Sequence, residues 1–166
     1  MKKGFTIKLT SQEVLMGSMV GQQRRNESLR NGLNERHGAD LQREADRCFY
    51  NIAGAVGEVA FAKASGLYWP MTVNVGKGEP DVFPDWQVRW SSREDGDLIV
   101  RPNDNTRFRY ALMTGSGYNY TFMGWIPGVD AVLQDDWYKD VGNRGSPAWF
   151  VPQCALLHLE EDVHHY

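Results

Sequence analysis

The sequence predicts an α+β fold in which N-terminal helices pack on a central mixed β-sheet. Two observations support it: apolar residues recur at helical spacing before Gly66, and β-branched and aromatic residues form short or alternating runs after it. The length of 166 residues, with 42% hydrophobic and 23% charged residues, is typical of one globular domain. We therefore expect one domain over residues 1–166, with a helical extension at about 1–38 and a short polar tail at 160–166.

Two helices are predicted in the first part of the chain. Ser11 can cap the first helix, and the second begins near Ala39, where apolar residues recur every three or four positions until Gly66 stops it. Gly54 and Gly57 lie inside the second helix, where glycine costs about 1 kcal/mol relative to alanine. We expect the backbone of another element to pack closely against these two glycines.

Strands are predicted after Gly66, with turn residues between them. Residues 86–91 alternate between apolar and polar side chains, which predicts a strand with Trp86 and Trp90 in the core. A turn at Pro84-Asp85 precedes this strand. The sequence also predicts a short helix at 130–139 and further strands at 69–75, 81–83, 97–101, 108–113 and 120–125.

The chain shows no membrane or secretory segment. No stretch approaches the roughly 18 consecutive apolar residues of a spanning helix, and the first residues do not lead into a signal core. We expect a cytoplasmic protein without a membrane partner. Cys48 and Cys154 are too few and too far apart for a disulfide framework or a zinc site, so we expect buried free thiols.

Charge limits the classes of function. The net charge of −3 argues against a protein that holds nucleic acid by bulk electrostatics, because counterion release needs clustered cations, so local charge must decide. Six arginines lie between residues 22 and 47, but five acidic residues accompany them. We expect this segment to be a solvated helix face with ion pairs and not a binding surface.

A spaced set of polar residues is the strongest candidate for chemistry. Glu58 lies in the second predicted helix, Asp81 follows a proline, and Gln87 and Arg89 share the polar face of the next strand. The turn at Pro84-Asp85 would bring Asp81 beside that face, and packing of the helix would add Glu58. Two carboxylates and an amide oxygen predict a site for Mg²⁺ or Mn²⁺, which can stabilise charge on a phosphate and activate water.

This arrangement resembles the PD-(D/E)xK nuclease superfamily over roughly residues 50 to 92, about a quarter of the chain. Pro80-Asp81 matches the PD, Gln87-Val88-Arg89 occupies the position of the (D/E)xK, and Glu58 matches an acid on the preceding helix. Residues 91–96 and 150–153 are similar to small phage-encoded members. The resemblance implies the restriction-endonuclease-like fold, and a phage-encoded protein would act in the cytoplasm of its host.

The resemblance also implies an activity and its residues. It implies Mg²⁺- or Mn²⁺-dependent hydrolysis of phosphodiester bonds in DNA, by an endonuclease or an exonuclease. Asp81 would be the central metal ligand, Glu58, the Gln87 oxygen and the Val88 carbonyl would complete the shell, and Arg89 would steady the phosphate. Nucleic acid would also contact residues beside the site, namely Lys77, Ser91, Arg93 and Arg101, although nearby acids can neutralise the arginines.

Two departures from the family pattern bear on catalysis. Gln87 replaces an acid, which removes a negative charge and lowers the expected metal affinity. Arg89 replaces lysine and stays protonated, so it can bind phosphate but cannot take a proton from water.

Several alternatives therefore stay open. The protein can be a degenerate relative that binds nucleic acid or a host protein without cutting, as a phage inhibitor or regulator would. It can also be a structural or packaging protein that assembles with copies of itself, and a homodimer is possible in either case. In the plainest interpretation, Glu58 caps a helix or pairs with an arginine, Asp81 lies in a turn, and Gln87 and Arg89 form the exposed face of an edge hairpin.

Overall fold

A computed structural model describes residues 4–31, 44–73, 78–142 and 145–159 and shows the mixed α+β architecture that the sequence predicts. Lys77, the tail at 160–166 and the predicted helix start at Ala39 lie outside the described residues. None of the helices in the described ranges combines the length and the apolar composition that spanning a bilayer requires.

Three helices and seven strands occur within the described residues. In chain order they are β1 (Phe5–Lys8), α1 (Ser11–Arg30), α2 (Glu44–Ser65), β2 (Trp86–Ser91), β3 (Leu98–Val100), β4 (Arg109–Ser116), β5 (Asn119–Pro127), α3 (Gly128–Ala131), β6 (Tyr138–Lys139) and β7 (Ala148–Val151). Two short 3₁₀ helices cover Asp135–Trp137 and Gln153–Ala155.

The N-cap of helix α1 lies one residue before the predicted cap Ser11. Thr10 is the N-cap: its hydroxyl accepts the backbone N–H of Glu13, and its own N–H donates to the Glu13 carboxylate at 2.7 Å. This reciprocal pair satisfies two N–H groups that the first helical turn leaves free. At the other end of the helical region, Gly66 ends α2 with a φ of 69°, as predicted.

Close helix packing occurs at the glycines of α1 and not at those of α2. A Cβ on Gly21 would lie 2.5 Å from the Cα of Ile52, and one on Gly17 would lie 2.9 Å from the Cα of Val56. The prediction for α2 was therefore wrong: a Cβ on Gly54 would meet nothing within 4 Å, and one on Gly57 would make only ordinary contacts with side chains. Glycine thus lets the α1 backbone approach α2 closely.

The main sheet has the strand order β1-β5-β4-β2, in which β2 runs parallel to β4 and the other pairs are antiparallel. This confirms a mixed sheet, with β2 at one edge. Trp86 is fully buried and its ring lies 5.0 Å from that of Phe61 on α2. Trp90 packs against the same core, and its indole N–H donates to the Gly115 carbonyl at 2.8 Å. Trp86 thus lies in the core, as predicted, whereas Trp90 is half-buried against it.

A second, smaller sheet with the order β3-β7-β6 covers the other face of the main sheet. Strand β4 connects the two cores, because Ala111 and Met113 lie in the core under α2, whereas Tyr110 and Leu112 lie in the core shared with β3 and β7. Both faces of β4 are therefore buried. The molecule has three layers, with the main sheet between α2 and the small sheet.

Four expectations were wrong in detail. Residues 69–73 form no strand, because Pro70 lacks an N–H and Met71 has a φ of 55°. Residues 81–83 make a single bridge, between Val82 and Trp86. The segment 130–139 holds the end of α3, a 3₁₀ turn and β6 in place of one helix. The thiols are free, but neither is buried, since one is half-buried and the other exposed.

Candidate functional site

Asp81 lies beside the free edge of β2. Its backbone N–H donates to the Trp86 carbonyl at 2.9 Å, and its Oδ2 accepts the backbone N–H of Val88 at 2.9 Å. The N–H and C=O of one strand residue point to the same side, so the Val88 carbonyl also faces the edge that β4 does not use. The structure therefore brings Asp81 and the Val88 backbone together, as the motif predicted.

Glu58 lies on α2, is only 4% exposed, and accepts hydrogen bonds on both carboxylate oxygens. Arg24 of α1 donates from Nη1 to Oε1 at 2.5 Å and from Nη2 to Oε2 at 3.0 Å. The indole N–H of Trp69 donates to Oε2 at 2.9 Å, and Arg24 Nε donates to the Thr72 carbonyl at 3.0 Å. Glu58 thus pairs with an arginine, as in the plainest interpretation of the sequence.

Glu58 and Asp81 interact electrostatically. Burial, together with the negative charge of Asp81, raises the pKa of Glu58 to about 7, against the opposing effects of Arg24 and Trp69. Burial also raises the pKa of Asp81, although the charge of Arg89 and the Val88 N–H oppose this. Carboxyl groups with raised pKa values cluster at functional sites, and buried ion-pair networks shift pKa values as well.

Arg89 extends from β2 to the second sheet. Its Nη2 donates to Oδ2 of Asp104 at 2.7 Å, its Nε donates to the Ile99 carbonyl at 3.2 Å, and its guanidinium lies 5.1 Å from the centre of the Tyr110 ring. Asp104 Oδ2 also accepts the backbone N–H of Arg101 at 2.8 Å. Asp104 therefore holds Arg89 and the start of the loop after β3 in one arrangement.

The arginines beside the site differ in their partners. Arg93 pairs with Asp95 on the exposed surface, and Arg109 pairs with Asp85. Arg101 is half-buried and forms no salt bridge with any residue that the structure describes. Burial, together with the charge of Arg89, lowers the pKa of Arg101. Of the predicted nucleic-acid contacts that the structure describes, Arg101 is thus the cation that lacks a paired carboxylate.

The other predicted site residues have local partners. Gln87 donates from Nε2 to the Glu79 carbonyl at 2.8 Å, so its amide is oriented by the loop before Asp81. The Ser91 hydroxyl accepts the backbone N–H of Arg93 at 3.1 Å, which shapes the turn after β2. Lys77, as noted, lies outside the described ranges.

The oxygens that remain for a divalent cation are few. They are Oδ1 of Asp81, the Val88 carbonyl and the amide oxygen of Gln87, since the Arg24 guanidinium binds both oxygens of Glu58 and its positive charge repels a metal ion. Within the described ranges, no group of three or more His, Cys, Asp or Glu side chains is placed to hold a metal ion. While Arg24 pairs with Glu58, these residues do not fit the two-carboxylate Mg²⁺ site that the sequence predicted.

Sequence reasoning missed three residues of this site. Arg24 was expected on a solvated face, Trp69 in a strand, and Asp104 only as a neutralising charge. A signal for Arg24 was present, because Gly17, Gly21 and Arg24 follow at spacings of four and three and so share one helix face. Since the two glycines mark the face that packs closely on α2, the arginine after them must point into the same interface.

No protein-family model matches the chain, and a search of curated proteins finds no match. The resemblance to the PD-(D/E)xK superfamily therefore depends on its short motifs and on the order of the elements that carry them.

Proposed function

We propose that the chain has a restriction-endonuclease-like fold and binds nucleic acid, with DNA as the first candidate, without cutting it. The observation that carries this proposal is the ion pair between Arg24 and Glu58, which places a guanidinium on both Glu58 oxygens that a two-carboxylate metal site would use. The packing of α2 on β2 and the position of Asp81 at the free edge of β2 support the proposed fold.

Arginines compensate the acids at this site. The interacting charged groups are three carboxylates and three guanidinium groups, namely Glu58, Asp81, Asp104, Arg24, Arg89 and Arg101. When all six are ionised, the cluster is neutral. The two acids can therefore stay close together without a divalent cation, which in a two-carboxylate metal site supplies the compensating charge.

Arg101 and Arg89 are the proposed phosphate-binding residues. The two guanidinium groups repel each other. Asp104 attracts both, but it accepts a side-chain hydrogen bond from Arg89 and only a backbone N–H from Arg101. A phosphate oxygen beside Arg101 would relieve this repulsion and accept charge-assisted hydrogen bonds. Nucleic acid carries such phosphates at regular intervals along its backbone. One of them can bind Arg101, which is half-buried, forms no salt bridge with a described residue and begins the loop after β3.

Fluorescence anisotropy with labelled DNA in EDTA tests the binding. We expect salt-sensitive binding by the wild type, and Arg101→Gln should weaken it and reduce the slope of log K against log salt by about 1. Arg30→Gln is the matched control, because it removes an arginine from the exposed end of α1. Equal effects of both variants, or no binding in EDTA at low salt, would contradict the proposal.

Metal-dependent cutting is the second candidate, and one observation favours it. Asp81 Oδ1 accepts no hydrogen bond from a described residue, and the Val88 carbonyl faces the same edge. Mg²⁺ can be held by one carboxylate together with substrate phosphate oxygens. A bound cation there would stabilise charge on the phosphate, Asp81 would hold it, and Arg89 would orient the phosphate without acting as a base.

A cleavage assay separates the two candidates. Single-stranded, duplex and branched DNA are incubated with Mn²⁺ and either the wild type or Asp81→Asn. We expect no cutting by either protein, with DNA binding retained. Cutting by the wild type that requires Mn²⁺ and is lost in Asp81→Asn would establish the nuclease and overturn the non-cutting proposal.

A further inference from the structure

An exposed aromatic pair lies next to the site and has no role in the proposed binding of phosphate. Tyr68 is 66% exposed and Phe83 is 40% exposed, and their ring centres are 6.0 Å apart at an interplanar angle of 43°. Single exposed apolar side chains are common on protein surfaces, but two large rings in contact leave a continuous apolar face in water.

Buried neighbours hold this pair in place. The Phe83 N–H donates to the Tyr68 carbonyl at 2.9 Å, which joins the two segments directly. Trp69, next to Tyr68, donates to Glu58, and Val82, next to Phe83, is fully buried and bridges to Trp86. The rings therefore extend from two fixed points of the backbone, so little conformational entropy is lost when a ligand packs on them.

The pair is also close to the acid and arginine cluster. Phe83 follows Asp81 by two residues, so their Cα atoms lie no more than about 7 Å apart. Val82 between them is fully buried, whereas Phe83 is 40% exposed, so Asp81 and the aromatic pair flank one fixed residue. A nucleotide whose phosphate lies near Arg89 or Arg101 could thus place its base toward the aromatic pair.

We propose that Tyr68 and Phe83 form a stacking platform for an unpaired nucleobase, so that the preferred ligand is single-stranded or locally unpaired nucleic acid. This inference depends on the proposed function and names its ligand class. Bases in a duplex are stacked on each other and present no free face, whereas an unpaired base can stack on an aromatic side chain. Such stacking tolerates any sequence, because every base has a π-face.

The test compares labelled oligo-dT, the matching oligo-dA·dT duplex and an abasic strand of the same length, all in EDTA. Tyr68→Ala and Phe83→Ala should each raise the Kd for oligo-dT roughly fivefold or more and change the Kd for the duplex or the abasic strand less than about twofold. Tyr68→Phe should restore binding of oligo-dT, because the ring remains. Phe5→Ala, a 53% exposed aromatic on β1 at the opposite edge of the sheet, is the control.

The outcomes separate the platform from the phosphate site. If Arg101→Gln weakens binding but the two alanine variants leave oligo-dT unaffected, the platform is wrong and the proposed function stands. If the wild type binds none of the three ligands at low salt, both are wrong. If light scattering shows a mass that changes in Tyr68→Ala, the pair is a contact between protein copies, which also overturns the platform.

Discussion

Arg24 and Glu58 join the two long helices through a buried, bidentate ion pair across 34 residues of sequence. The pair brings α1 into the same site as Asp81, because Glu58 interacts with the Asp81 carboxylate while it accepts hydrogen bonds from Arg24. A guanidinium therefore lies where a cation would compensate the two acids. The contact connects the packing of the helices with the chemistry that the site can perform.

Removing Arg24 should destabilise the fold in a pH-dependent way. Arg24→Gln leaves Glu58 buried without a cation, and breaking such a pair costs about 3 kcal/mol or more when the carboxylate stays charged. The loss should be large at pH 8 and smaller at pH 5, where Glu58 can take up a proton. Urea unfolding at the two pH values measures both losses.

Two further variants control the Arg24 experiment. Arg30→Gln removes an arginine from an exposed i,i+3 pair with Glu27 and should change stability by no more than about 0.5 kcal/mol. The double variant Arg24→Gln with Glu58→Gln should recover part of the loss at pH 8, because no buried charge is then left. A loss for Arg24→Gln that is equal at both pH values would show that the ion pair is not its cause.

Glu58 should make the wild type less stable as the pH rises. Its pKa is about 7 in the folded chain and near 4.5 when unfolded, so between these values the folded state binds more protons than the unfolded state. Stability is therefore highest below pH 4.5 for this group and is lost as the pH rises to 7, by about 3 kcal/mol. Unfolding of wild type and Glu58→Gln from pH 5 to pH 8 measures the difference.

Glu58→Gln should flatten this pH dependence, whatever its effect on stability at any single pH. In the variant an amide N–H₂ faces the N–H groups of Arg24 and Trp69. Donors cannot hydrogen-bond to one another, so some loss of stability is expected at all pH values. Asp81 keeps its own raised pKa in the variant and leaves a residual slope of the same sign. Identical slopes for the two proteins would refute the assignment to Glu58.

Replacing a glycine with alanine should destabilise the protein at Gly21 in α1 and stabilise it at Gly54 in α2. Gly21→Ala would place Cβ 2.5 Å from the Ile52 Cα and 2.6 Å from the Asn51 carbonyl oxygen, and backbone atoms cannot move aside. We expect a loss of about 3 kcal/mol. Gly54→Ala meets nothing within 4 Å inside α2 and should stabilise the protein by about 0.5 to 1 kcal/mol. Thermal unfolding of the two variants gives the comparison.

Asp104 should be important for stability although it lies in a loop. Asp104→Ala removes the acceptor of the Arg101 N–H and of Arg89 Nη2, which should cost about 2 kcal/mol. Asp97→Ala, at an exposed position before β3, is the matched control and should change stability by less than about 0.5 kcal/mol. Similar denaturation midpoints for Asp104→Ala and the wild type would mean that the loop does not depend on this carboxylate.

The sequence predicted the parts of the site that local patterns control. The alternation over residues 86–91 predicted which side chains of β2 face the core, and the turn before it predicted that Asp81 would lie beside this strand. The pairing of Glu58 was left open between a cation and an arginine. Residue type alone could not decide this, because an acid at that position fits either partner.

Other elements were missed because their signal is weak or non-local. Strand β1 has only four residues and gains its hydrogen bonds from β5, more than a hundred positions away in the chain. The pairing of β3 with β7 likewise joins distant segments. Residues 69–73 have the composition of a strand, but Pro70 and the positive φ of Met71 prevent one. Trp69 is instead positioned to bond Glu58.

By itself, the sequence determined the α+β class, the end of α2 at Gly66, the two faces of β2 and the neighbourhood of Asp81. These depend on backbone preferences and side-chain periods that act over a few residues. Only the tertiary structure decided that Arg24 pairs with Glu58. That contact depends on how closely α1 and α2 approach at Gly17 and Gly21. The distance between two helices cannot be predicted from local propensities.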